Sequence, residues 1–239
     1  MKTAKTFLAI LGFAAAAAAL ILHFYNPFSS PPWRLERAAS NNRATVHIVN
    51  ITQTSLGSGV VISQNGVVLT AMHMANPGDL LFVITHENAK PAYHLASVGI
   101  ADKQSQLAIL FTRDALPPPA RIGRTNSLQI GDFIYSIGFP GNMARTVTSF
   151  GIVSQKFFFP PQKPRRRAIL VDLDPVPGMS GSPVFNSRGE LVGIFEAATG
   201  QMTMGGIRRW GVMNSIDPLS SIIRKQLAAS GLPVPETVR

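Results

Sequence analysis

Two short stretches hold the residue types that acyl transfer needs. "TAMHMA" places His73 in a turn of small residues after the apolar run "GVVLT", and "PGMSGSPVF" places Ser180 between glycines. A serine hydroxyl attacks a carbonyl carbon when a base takes its proton and N–H donors receive the oxyanion that forms. His73 is the candidate base and Ser180 the candidate nucleophile. The glycines permit a tight, exposed backbone, and the N–H groups of Gly178 and Ser180 can point at one spot, as an oxyanion hole requires. Each signal is weak by itself, because Gly-x-Ser-Gly stretches are common and a lone histidine is more often structural.

The segments around these residues read as short strands. "TVHIVNI", "GSGVVIS", "GVVLT", "LLFVIT", "YHLASVGI" and "LAILF" follow one another from Thr45, broken by Gly, Asn, Pro and Asp. Asn65-Gly66 between two apolar runs predicts a two-residue hairpin turn with positive φ at both positions. "RDALPPPARIG" then interrupts with three prolines, which no sheet interior tolerates, and serves as the linker between two halves. A second series follows: "DFIYSIG", "TVTSFGIVS", "AILVDL", "GSPVF", "LVGIF" and "RWGVM". Many short strands with turn signals predict an all-β fold of barrels or sandwiches. In "SIDPLSSIIRKQLAASG", Asp217 can cap, Pro218 fits a first helical turn, and Leu219, Ile222, Ile223 and Leu227 share one helix face. His47 and His94 fall within strands, and His86 fits a turn.

Composition bounds the chemistry. With 239 residues, 46% apolar and 14% charged, the chain can bury a substantial core. It has no cysteine, so disulfides, zinc-thiolate sites and a cysteine nucleophile are excluded. No second histidine or carboxylate stands at ligand spacing, so neither a metal nor a cofactor is expected. The net charge of +10 favours anionic surfaces. Apart from Lys163 and Arg165 to Arg167 in a Pro-rich loop, however, the basic residues are scattered, and no nucleic-acid motif accompanies them. Nucleic acid is not an expected partner.

At the N-terminus, Lys2 and Lys5 precede a sixteen-residue apolar run from Phe7 to Leu22. Its alanines lie in the middle and bulky residues follow them, which differs from the small-residue cleavage site of a secretory signal. The run predicts an uncleaved membrane anchor over residues 1–25, with a cleaved signal as the alternative. Either way the remainder is exported. Residues 26–42 read as a tether, with two helical turns available in "WRLERAAS".

Taken together, "GSGVVISQNGVVLTAMHMA" and "VDLDPVPGMSGSPVFNSRGELVGI" resemble the base and nucleophile segments of trypsin-like serine proteases of the HtrA and glutamyl-endopeptidase kinds. "YSIGFPG" and "VTSFGIVS" are similar to the strands between them. The resemblance runs in order from about Ala44 to the terminal helix. It implies the two β-barrels of the chymotrypsin fold: a first barrel over 43–114, a linker over 115–121, a second barrel over 122–214 and a helix over 215–230. It also implies hydrolysis of polypeptide substrates, with His73 as general base, Ser180 as nucleophile and the Gly178 and Ser180 N–H groups as oxyanion hole. The site would face the bacterial periplasm from the inner membrane, or be secreted if the leader is cleaved. No segment after the terminal helix is expected to form a PDZ domain.

One position departs from the pattern. Such proteins carry an Asp immediately before a Leu-Ala-x-Leu strand, and here that position is Gln106. An amide carbonyl can orient the histidine without supplying charge for the imidazolium. In the Ser-His-Asp template the change from carboxylate to amide costs about 10⁴ in turnover. Two readings follow: a serine endopeptidase with Gln106 as an atypical orienter, or a protease-fold binding or regulatory module with impaired catalysis. Asp102 could replace the carboxylate only if its turn were remodelled, and Asp79 and Asp114 lie farther away along the chain. Asp174, six residues before Ser180, stands by count where trypsin-like enzymes keep a specificity acid.

Overall fold

In the computed structural model, the described residues are 37–87, 90–141, 143–158, 168–203 and 206–223. The apolar run of residues 1–25 and the Lys163 to Arg167 cluster lie outside them. Among the described residues no helix is long and apolar enough to cross a membrane.

The apolar runs on either side of the proline linker close into two six-stranded antiparallel barrels. The first comprises β1 (Thr45–Asn50), β2 (Ser55–Ser63), β3 (Val67–Ala71), β4 (Leu81–Glu87), β5 (Lys90–Asp102) and β6 (Leu107–Thr112), in the order β1-β2-β3-β6-β5-β4. The second comprises β7 (Phe133–Gly138), β8 (Val147–Phe158), β9 (Ala168–Val171), β10 (Pro183–Asn186), β11 (Leu191–Thr203) and β12 (Gly206–Ser215), in the order β10-β11-β12-β9-β8-β7. Closure pairs the central part of every strand on both sides, which removes most of the sheet edge that could template aggregation.

Alternation along the strands sends one face of each inward. Val46, Ile48, Val61, Val68, Val83 and Leu110 fill the first barrel. Ile134, Val153, Val171, Val184, Val192 and Met213 fill the second. Each fully buried aliphatic side chain contributes about 1.5–3 kcal/mol relative to exposure, so packing can hold a fold that has no disulfide.

One local detail differs from the sequence reading and two extend it. The hairpin at Asn65-Gly66 has Ser63 paired with Val67, a three-residue loop in which Gly66 (φ +83°) takes the positive φ and Asn65 does not. Any Cβ on Gly66 would stand 2.3 Å from the Thr112 carbonyl oxygen, because the turn is tucked against the end of β6. The tether expected over 26–42 is helical at its end: α1 (Ala38–Ala44) leads into β1. Asn41 of α1 is buried and donates to the Tyr135 hydroxyl at 2.7 Å and to the Gly189 carbonyl at 3.0 Å, tying the entry of the first barrel to the second. Asp217 accepts from the Thr125 and Asn126 N–H groups at 2.7 and 2.9 Å, so it caps the short 3-10 turn Thr125–Ser127 as well as standing ahead of the helical residues 219–223.

The linker runs along the first barrel. Leu116 and Ala120 donate their N–H groups to the Gln64 and Val61 carbonyls, and Ile122 then bridges to Leu191 of the second barrel.

Candidate active site

β3 delivers the candidate base. It ends at Ala71, and Met72–Met74 form one 3-10 turn with His73 exposed at its centre. The turn is pinned on both sides of His73. The Met72 N–H donates to the Gln106 carbonyl at 2.9 Å, and the Asn50 amide donates to the Met74 carbonyl at 3.0 Å.

Gln106 closes the tight turn between β5 and β6. Its N–H donates to the Asp102 carbonyl at 2.8 Å, its φ is +60°, and its side chain is buried. A non-glycine residue in this region costs roughly 1–3 kcal/mol and persists only where its surroundings fix it. Here they do. The Gln106 carbonyl accepts from both Met72 N–H and the Asn214 amide (3.1 Å), and the Gln106 Nε2 donates to the Lys103 carbonyl at 2.7 Å.

The carboxylates considered as substitutes are committed elsewhere. Asp102 accepts from the Ser105 N–H at 2.7 Å within its own turn. Asp79 accepts from the Asn50 amide at 2.7 Å and the Asn76 N–H at 2.8 Å. Burial would raise its carboxyl pKa, but the bonds from Asn50, Asn76 and Gln53 outweigh that and hold it below the usual value. Asp114 pairs with His94 at 2.9 Å.

The candidate nucleophile, Ser180, lies on a loop closed by main-chain bonds. Met179 donates to the Val176 carbonyl and Ser182 to the Met179 carbonyl, while Gly181 donates to Phe195 of β11. Met179 is buried in the second core and anchors the segment. Gly178 has φ +90°, and a Cβ there would stand 2.4 Å from the Phe139 carbonyl oxygen. Gly181 has φ +84°, and a Cβ there would stand 2.0 Å from the Ser58 carbonyl oxygen. Only glycine fits either place. Ser180 is half-buried, and its Oγ donates to the Glu196 carbonyl at 3.3 Å.

Ser58 of β2 links the halves of the site. Its N–H donates to the Ser180 carbonyl at 2.8 Å, its Oγ donates to the Gly178 carbonyl at 2.9 Å, and the same Oγ accepts from the Phe139 N–H at 2.9 Å. Its carbonyl in turn accepts from Thr70 Oγ1 at 2.8 Å, and Thr70 lies on β3 three residues before His73. Ser180 and His73 thus come to the same junction between the barrels through Ser58 and Thr70.

The sequence reading did not single out Ser58, Glu196 or Asn214. The Gly-Ser-Gly run was visible, but not that its serine would reach a loop 120 positions away. Asp174 and Asp172 have exposed side chains on the loop ahead of Ser180. His86 belongs to strand β4, where a turn was expected. It stacks on Phe139 at 5.2 Å and His47 does so at 5.0 Å. Burial, and for His47 the neighbouring His86 as well, holds both imidazoles below the usual histidine pKa.

With two closed barrels and a glycine-framed serine at their junction, the chain belongs to the trypsin-like peptidase domain family, which matches residues 57–194. It is 36% identical over 140 residues to a protein of Ectopseudomonas mendocina named "probable periplasmic serine endoprotease DegP-like". That match covers 59% of this chain and 29% of the relative. A protein of the same name from Hahella chejuensis is 35% identical over 140 residues, covering 59% of this chain and 29% of that one. The chain therefore spans less than a third of the length of these relatives in the matched region. Among solved structures, an HtrA-type protease AlgW with tripeptide shares the fold, with a TM-score of 0.66 over 81% of this chain and 63% of that one at 22% identity.

Proposed function

We propose that this protein is a serine endopeptidase of the bacterial periplasm that hydrolyses polypeptide substrates, held at the inner membrane by residues 1–25. His73 takes the proton of Ser180 Oγ as that oxygen attacks the substrate carbonyl carbon. The Gly178 and Ser180 N–H groups receive the negative charge on the carbonyl oxygen. His73 then returns the proton to the leaving amine, and water repeats the sequence on the acyl-enzyme to release the carboxylic acid and free Ser180. Gln106 holds His73: with its Nε2 bound to Lys103, the other end of the amide is the acceptor that an Nδ1–H requires.

The observation that carries this reading is the left-handed Gly178 beside Ser180, with its carbonyl fixed by Ser58 of the other barrel. The peptide that carries the Gly178 N–H is held separately, its Pro177 carbonyl accepting from the Gly141 N–H at 2.5 Å.

The test is reaction of the full chain with a fluorophosphonate, which modifies only an activated serine. Labelling that Ser180→Ala abolishes is the expected result. Absence of labelling in the wild type, with a large gain in Gln106→Asp, would instead favour a binding module whose catalysis has lapsed.

A further inference from the structure

The position before β6, where the resemblance expects an acid, holds the uncharged Gln106. Attack by Ser180 turns His73 into a cation, and in the Ser-His-Asp template a carboxylate stabilises that cation as it forms. Gln106 can orient but not neutralise. The strand alternation of the second barrel brings an acid to the same junction.

β11 and β12 place Glu196 at the junction. Phe195 pairs with Met213, and both side chains lie in the core of the second barrel. Ile194 pairs with Asn214, so these two occupy the opposite face. The Asn214 amide on that face reaches the Gln106 carbonyl of the first barrel at 3.1 Å. Glu196 directly follows Phe195, where this regular pairing ends. It also sits in a β-bulge: the pairing passes from Phe195–Met213 to Ala197–Val212, leaving Glu196 outside the register. Bulges re-aim a side chain, and they are over-represented next to active sites.

Burial and contact support this placement. Glu196 is 6% exposed, and its main-chain carbonyl accepts the Ser180 hydroxyl at 3.3 Å. A buried carboxylate is costly unless a positive charge offsets it, and the imidazolium is the charge this reaction generates.

We propose that Glu196, supplied from the bulge in β11, is the carboxylate that stabilises protonated His73, in place of the acid missing before β6. This rests on the serine endopeptidase reading. Glu196 is a positioning residue acting through His73. Its attraction grows as the imidazolium forms, so it favours the transition state over the resting enzyme.

The experiment measures the fluorophosphonate labelling rate of the full-length chain as a function of pH. Labelling requires neutral His73, so the rate falls on the acid side as His73 gains a proton. Asp79, Asp102 and Lys103 also carry charge beside the His73 turn, and they remain in every variant. Glu196→Gln is expected to slow labelling by about 10²-fold, within the loss of about 10⁴ known for an amide in the template. It is also expected to move the acid limb to lower pH, because the cation loses its counter-charge. Glu196→Asp retains part of the rate, and adding Gln106→Asp to Glu196→Gln restores it. Wild-type rates and an unmoved acid limb in Glu196→Gln would overturn the assignment, while Ser180-dependent labelling would leave the endopeptidase reading intact. A slower rate with an unmoved acid limb would also overturn it, by marking a structural role. A wild type that does not label at all removes both.

Discussion

The two barrels make their halves of the site in different ways. The second barrel presents Ser180 on a loop closed by main-chain bonds, with glycines at φ +90° and +84° where no side chain fits. The first presents His73 on one 3-10 turn, supported by Gln106 at φ +60°. Backbone geometry therefore defines the nucleophile side, while one side chain and its charge define the base side. A site built this way can keep its nucleophile loop intact while the electrostatics around its base are redistributed, as the bulge at Glu196 suggests.

Gly178→Ala tests the backbone-built half and carries the largest expected effect. A methyl group at φ +90°, 2.4 Å from the Phe139 carbonyl oxygen, would rotate the peptide that donates to the oxyanion. Loss of one such donor costs about 10²–10³ in rate, and fluorophosphonate labelling should fall by that factor. Ser58→Ala probes the link between the halves. It leaves the buried Phe139 N–H without its acceptor and the Gly178 carbonyl without its donor. About 1–3 kcal/mol of stability should be lost, read from the denaturant midpoint; an unchanged midpoint would mean that other contacts register the barrels.

Asn41→Ala sharpens the contrast from outside the site. It removes the bonds to Tyr135 and Gly189 that tie α1 to the second barrel. A loss of about 1–2 kcal/mol is expected, with the labelling rate of the folded protein preserved. The smallest effect concerns pH. His47 and His86 titrate near 6.5 when unfolded, and burial lowers both in the folded state, for His47 with help from His86. Below that pH the unfolded chain binds protons first, so stability is full above it and declines as pH falls toward the folded values. The melting temperature should drop between about pH 7.5 and about pH 5.5, and less so when both histidines are replaced by Gln.

What the sequence revealed follows from what is local. The strands of both barrels and the Gly-x-Ser-Gly loop were legible because apolar period and glycine placement are properties of neighbouring residues. The Asn65-Gly66 loop length was not, because the Ser63–Val67 register depends on how Gly66 tucks under Thr112. Ser58 and Asn214 act across more than a hundred positions, and no periodicity reports that. Glu196 was not legible, because a bulge is set by pairing with β12 and leaves no mark on β11 alone. The absent acid before β6, by contrast, was visible at once, since the resemblance specifies the position and Gln106 occupies it.

The proline linker has a practical consequence. A break after Pro118 would interrupt no ladder: both barrels would keep their closed sheets and separate cores, the Leu116 bond to Gln64 would stay within the first fragment, and the Ala120 bond to Val61 would become one of the contacts between the fragments. The pieces would then be held only by the contacts between barrels, with Ser58 and Thr70 on one fragment and Ser180 on the other. Labelling of a nicked chain would become a concentration-dependent gauge of barrel association, turning the protein into a split reporter of its own assembly.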